Sequence, residues 1–204
     1  MAGTPSVVIF DVGNVLFDWN PRFLYERLID DDRALDAFLR DVATKEWHFQ
    51  HDAGRPFAET SVELAAVHPQ HSDLIAAWGP RFIEQLGDML PGMRELVEQL
   101  DARGVPLYAI TNFSGEFWPP FRTREADIFD RFRDIVVSGD ELLTKPDPAI
   151  YHLALDRFGV TAADAVFIDD RADNVAAANA VGIHGLVFED AATLRADLAR
   201  LGVL

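Results

Sequence analysis

The chain has no cysteine, which excludes disulfides, thiolate nucleophiles and thiolate metal ligands together. Lysine is almost as scarce: of 18 basic residues, only Lys45 and Lys145 are lysines. Positive charge is short overall, with 34 acidic residues and a net charge of −16. A surface of that sign does not attract nucleic acid or an anionic membrane, so an anionic ligand would need a local cationic site. No apolar run reaches the length of a membrane span, and no basic stretch followed by an apolar core and a small-residue cleavage site opens the sequence. The expectation is a soluble, cytoplasmic protein, monomeric or homodimeric, whose partner is a small molecule.

Apolar material is plentiful, at 49% of 204 residues, and the length suits one principal domain carrying an insertion. The opening run Val7-Val8-Ile9-Phe10-Asp11 reads as a strand buried on both faces that delivers a carboxylate to the turn Val12-Gly13-Asn14. Residues 21–90 then read as helical, with Phe23-Leu24, Leu28, Leu35, Phe38-Leu39 and Val42 spaced at three and four. Further helices are expected over residues 57–67 and 74–86, separated by breakers at Gly54-Arg55-Pro56 and Pro69, and no strand pattern interrupts them.

From Pro91 helix and strand alternate. Strands are expected over 105–110, 135–137, 165–168 and 185–188, with helices over 93–100, 128–132, 148–158, 174–181 and 191–201. This is the pattern of an α/β fold: a doubly wound, Rossmann-like parallel sheet with a helical cap inserted after the first strand. The expected core is residues 1–17 and 90–204; the expected cap is 18–89.

Chemistry-bearing residues sit at the strand ends: Asp11, Thr111-Asn112 and Asp169-Asp170, with Lys145 after a fourth strand. A right-handed doubly wound sheet brings all of them to one edge. Together they suit one reaction. A carboxylate can attack phosphorus and form an aspartyl-phosphate, provided that positive charge is close. Lys145 supplies one unit, and a divalent ion held by Asp11 and an acid of the Asp169-Asp170 pair would supply two more; hard oxygen ligands imply Mg²⁺. The Thr111 hydroxyl and the Asn112 backbone N–H could hold the phosphoryl oxygens.

Phe10-Asp11-Val12-Gly13-Asn14-Val15, Ile110-Thr111-Asn112, Lys145-Pro146 and Phe167-Ile168-Asp169-Asp170 with Asn174 together resemble the four motifs of the haloacid dehalogenase-like (HAD) hydrolase superfamily. The wording of motifs one and three is similar to bacterial phosphatases that act on glucose 1-phosphate and to the phosphatase domain of soluble epoxide hydrolases. The resemblance implies that Asp11 is the nucleophile and that the Gly13 carbonyl and Asp170 bind Mg²⁺. It puts Asp169 beside them, orienting metal-bound water or pairing with Lys145. By the same resemblance Thr111 and Asn112 bind phosphate, Lys145 holds nucleophile and phosphate together, and Asn174 orients the acid loop. It also identifies the helical insertion as a C1 cap.

Gly13 departs from the pattern, because family phosphatases usually carry there an Asp that protonates the leaving alkoxide and then activates water. Such assistance is typically worth about 10²–10⁴ in rate. Asp18, His48 and His51 are candidate substitutes, although both histidines read more simply as exposed helix residues. The same glycine allows two other readings: a metal-independent 2-haloacid dehalogenase using Asp11, and a phosphate-binding protein with little turnover. The Asp169-Asp170 pair favours the phosphatase. For the organic part of the substrate, Trp19, Arg22, Trp47, His48 and Arg55 are of the kind that line polar pockets, and Trp118-Pro119-Pro120 could close the rim.

Overall fold

Strand β1 (Val7–Phe10) lies at the centre of a five-stranded sheet, and its four side chains are all buried. The computed structural model describes residues 4–204, so residues 1–3 of the expected core segment lie outside the described residues. The other strands are β4 (Leu107–Thr111), β5 (Asp134–Val137), β6 (Ala165–Asp169) and β7 (His184–Val187), in the order β5-β4-β1-β6-β7. Every pairing is parallel, as the alternation of helix and strand requires.

Successive side chains of a strand face opposite sides, so the sheet builds two cores. Val8, Phe10, Ala109 and Ile168 pack on one face with Leu96, Leu100, Phe121 and Leu198. Ile9, Tyr108, Ile110 and Phe167 pack on the other with Ile150, Ala154, Phe158 and Ala178. Helix Pro148–Phe158 is framed by sequence signals at both ends: the Asp147 carboxylate accepts from Ala149 N–H, and Gly159 takes the left-handed conformation at φ 66°.

The region between β1 and the second sheet strand departs from the all-helical expectation. Strand β2 (Phe17–Trp19) pairs antiparallel with β3 (Leu86–Met89), and this two-stranded ribbon brackets the helices. The expected helix over 74–86 is replaced by Ser72–Ala77, a 3-10 turn Phe82–Gln85 and then β3, because Gly79-Pro80 interrupts the helical run. The expected helix over 128–132 shortens to Ala126–Phe129 and is preceded by Trp118–Arg124, where Pro119 and Pro120 fall in the first turn, the position that tolerates proline. Trp118 therefore packs into the core beside Phe121 and Phe129 rather than forming a rim. None of the described helices is long and apolar enough to cross a membrane.

Candidate active site

Parallel strands expose their carboxyl ends on one edge, and the candidate residues gather there. Asp11 follows β1 directly and continues its ladder, its N–H donating to the Ile168 carbonyl at 2.8 Å. The turn after it is tied back by the Asn14 side chain, which accepts from Trp19 N–H at 3.0 Å while Asn14 sits at φ 57°. Asparagine is among the few residues that take that conformation readily. Gly13 has no such constraint: a Cβ built on it would meet nothing within 4 Å.

Lys145 lies in the middle of the cluster, 2% exposed, with Nζ 2.8 Å from Asp11 Oδ1 and 2.7 Å from Asp169 Oδ2. Burial opposes its charge, but the two carboxylates outweigh burial and hold the ammonium above its ordinary pKa. Its backbone is clamped by Asn112, whose Oδ1 accepts from Lys145 N–H at 2.8 Å and whose Nδ2 donates to the Lys145 carbonyl at 2.9 Å. Asp169 is fully buried and accepts further hydrogen bonds from Arg171 N–H and from Asn174 Nδ2. Asn174 thus orients Asp169, which orients Lys145.

Burial pushes the Asp11 carboxyl up to about 7, against the pull of Lys145 and with the Asp169 charge adding to it. Its hydrogen bond from Val12 N–H and its ion pair with Lys145 both use Oδ1, and among the described residues Oδ2 has no protein partner. Asp170, exposed, is also held above the usual carboxylate range, by partial burial and by Asp169. Asp11, Asp169 and Asp170 each offer a carboxylate oxygen, and the three oxygens lie within 4.8 Å of one another. Three hard anionic donors at that spacing fit a divalent cation such as Mg²⁺.

The cluster opens into a cavity of about 290 Å³, lined among others by Asp11, Gly13, Asn112, Lys145, Asp170 and Asn174 from the sheet edge. Its opposite wall comes from the helical region and β3: Trp19, Lys45, His48, Phe49, Asp52, Phe82 and Leu86. Of the expected pocket residues, Trp19 and His48 line it. Arg22 does not, because its guanidinium pairs with Asp32 and Asp36 beside a neighbouring cavity. Trp47 packs against Trp78 and donates to the Thr60 carbonyl, and Arg55 pairs outward with Glu63. Thr111 ends β4 fully buried beneath the floor. As a metal ligand Asp169 is pre-engaged, since Lys145 and Asn174 already take its oxygens.

The histidines overturn their reading as exposed residues. His48 and His51 are both buried on helix Lys45–Asp52, and burial lowers them to about 3 and about 4, so both are neutral. His48 is stacked between Trp19 and Phe82, and His51 Nε2 lies 2.7 Å from Thr60 Oγ1. The same helix ends on a residue that sequence reasoning missed. Asp52 is buried at the cavity wall, and its backbone carbonyl accepts from Ser138 Oγ at 2.6 Å, which fastens the helix to the end of β5. Burial, with the Asp11 charge adding and Lys145 opposing, holds its carboxyl well above the usual range. The only sequence signal is its position four residues after His48, one helical turn along the same face.

A family model described as haloacid dehalogenase-like hydrolase matches residues 5–182. The chain is 29% identical over 207 residues to a sesquiterpene phosphatase of Aspergillus oryzae, covering 98% of each chain. A HAD family enzyme of Bacteroides thetaiotaomicron, solved as a magnesium complex, superposes with TM-score 0.69 at 20% identity, over 92% of this chain and 94% of that one. A 2-haloacid dehalogenase of Pseudomonas syringae superposes with TM-score 0.62 at 20% identity, over 96% of this chain and 99% of that one. At such identity both structures attest the fold alone. The family match spans all four strand-end clusters described above, and the chain belongs to the haloacid dehalogenase-like hydrolases.

Proposed function

We propose that this hydrolase is a Mg²⁺-dependent phosphomonoesterase that acts on a small phosphorylated metabolite, with sugar phosphates as a candidate class, through an aspartyl-phosphate on Asp11. The observation that carries the reading is the buried Lys145 ammonium between Asp11 and Asp169, next to the carboxyl of Asp170, in the cavity at the sheet edge. Attack of a carboxylate on a phosphate dianion needs fixed positive charge, and Lys145 provides it without reorganisation. Asp11 Oδ2 attacks phosphorus while Oδ1 stays on Lys145. Asn112 and Asn174 act as positioning residues, the first through the Lys145 backbone and the second through Asp169. The Asn112 N–H binds a phosphoryl oxygen, whereas Thr111, buried and outside the cavity lining, supports the end of β4 beside it. Mg²⁺, held by Asp11, Asp170 and the Gly13 carbonyl, would supply further charge against the phosphoryl oxygens.

The helical region 18–89 serves as a cap in this reading, with Trp19, His48 and Phe82 as its substrate-facing wall. A cytoplasmic enzyme that needs no macromolecular partner, monomeric or homodimeric, completes the proposal. Gly13 favours one competing reaction, metal-free release of halide from a 2-haloacid. Halide departure has no use for the added negative charge of Asp170, which supports the phosphatase instead.

The test is a panel of phosphoesters and 2-haloacids, each assayed with Mg²⁺ and with excess chelator. The expected result is Mg²⁺-dependent phosphate release, from p-nitrophenyl phosphate and from sugar phosphates. Halide release in chelator would overturn it.

A further inference from the structure

The loop after β1 lacks an acid at Gly13, and the space there is open. A proton donor for the leaving group, if there is one, must therefore come from another wall of the cavity. The candidates from the sequence divide cleanly. Asp18 lines a different cavity, with Phe23 and Arg27. His51 is fully buried, and its Nε2 is spent on Thr60. His48 does line the active cavity, but burial keeps it unprotonated, so it has no proton to give in the first step. Asp170 belongs to the carboxylate cluster at the floor.

Asp52 has what the others lack. It lines the cavity that holds Asp11 and belongs to the helical region, so a phosphoester bound at the sheet edge can turn its leaving group toward it. Its Oδ1 is buried with no hydrogen-bond partner among the described residues, and its Oδ2 lies 3.5 Å from His48 Nε2, too far for a normal hydrogen bond. A buried carboxyl this poorly satisfied is costly, and folding alone gives no reason to keep it. Its position is nonetheless fixed, by the Ser138 bond to its carbonyl and by the Trp19–His48–Phe82 stack behind it.

On the phosphatase reading above, we propose that Asp52 is the catalytic acid and base that replaces the side chain missing at Gly13. In the first step Asp11 Oδ2 bonds to phosphorus, the bond from phosphorus to the ester oxygen breaks, and the leaving alkoxide takes the proton of the Asp52 carboxyl. In the second step the Asp52 carboxylate takes a proton from water as the water oxygen bonds to phosphorus. The bond to Asp11 breaks, inorganic phosphate leaves, and Asp11 is again a carboxylate while Asp52 is again protonated. The burial that raises Asp52 well above the usual carboxylate range favours the protonated form that the first step needs.

The experiment compares wild type, Asp52→Asn, Asp52→Glu and the double variant Gly13→Asp/Asp52→Asn on two substrates with Mg²⁺. One is p-nitrophenyl phosphate, whose phenolate leaves without a proton; the other is a primary alkyl phosphate such as glycerol 3-phosphate. Asp52→Asn should lower kcat/KM on the alkyl ester by about 10²–10⁴ and on the aryl ester far less. Its aryl reaction should begin with a burst of p-nitrophenol near one equivalent of enzyme, because the second step still lacks its base. Asp52→Glu should recover part of the alkyl rate. Gly13→Asp should restore alkyl turnover in the double variant, and its added side chain has room. That rescue also decides the matter if Asp52→Asn alone folds poorly. Equal losses on both substrates, no loss on either, or no rescue by Gly13→Asp would overturn the assignment while the phosphatase reading stands. A wild type silent on every phosphoester would overturn both.

Discussion

The two walls of the active cavity treat buried basic groups in opposite ways, although burial raises a carboxyl on each, Asp11 and Asp52. On the sheet side, Lys145, Asp11 and Asp169 are paired with one another, so an ammonium survives at 2% exposure. On the helical side, His48, His51 and Asp52 are just as buried but lack a counter-charge, and each is shifted toward its neutral form. The difference follows from what each wall offers. One supplies fixed charge to a phosphoryl group; the other, kept neutral, can hold an organic leaving group and hand it a proton.

The largest effect should come from the paired wall. Asp11→Asn removes the attacking oxygen and should abolish turnover, by on the order of 10⁴-fold or more, while thermal unfolding shows an intact fold. Residual activity within tenfold of wild type would remove Asp11 from the chemistry. Lys145→Met leaves Asp11 and Asp169 facing each other without their cation. Breaking a buried pair in this way costs about 3 kcal/mol, which urea unfolding should register together with loss of activity.

His48→Phe makes the contrasting case on the neutral wall. A ring of similar shape between Trp19 and Phe82 gives up an unpaired Nδ1 and the loose 3.5 Å approach of Nε2 to Asp52, so stability should change by less than about 1.5 kcal/mol. A loss as large as that of Lys145→Met would mean that the imidazole carries charge, and the contrast between the walls would fail.

The smallest effect is one of pH. Asp52 binds its proton more tightly in the folded than in the unfolded chain, so it adds stability below the unfolded value near 3.8 that is lost as pH rises toward the raised folded value. His48 and His51, lowered to about 3 and about 4, act oppositely: their contribution is full above the unfolded value of 6.5 and is lost as pH falls. Asp52→Asn removes one opposing proton, so its stability, relative to wild type, should rise with pH above the unfolded value near 3.8, by up to about 1.4 kcal/mol per unit while the folded carboxyl keeps its proton. Urea midpoints at several pH values would measure the slope, and a parallel curve would contradict the buried, protonated state of Asp52.

The two walls also differed in how far the sequence disclosed them. Apolar runs ending on Asp11, Thr111 and Asp169 declared the parallel sheet, since a strand covered on both faces has no polar alternation to obscure it. Topology then brought the ends together without further information. Strands β2 and β3 were illegible because Phe17-Asp18-Trp19 and Leu86-Gly87-Asp88-Met89 are too short to show a period. His48 and His51 read as exposed helix residues, but rings from distant segments pack on them, Trp19 and Phe82 on His48 and Phe57 and Phe117 beside His51. Asp52 joins the site through a contact between the helical region and the end of β5, which no local pattern encodes.

The central claim is that Asp11 attacks phosphorus, and trapping the covalent adduct tests it most directly. Rapid acid quench during turnover of p-nitrophenyl phosphate with Mg²⁺, followed by peptide mass spectrometry, should find phosphate on Asp11 in wild type, at higher occupancy in Asp52→Asn, and none in Asp11→Asn. Phosphate release with no adduct on Asp11, or with the label on another residue, would contradict the account.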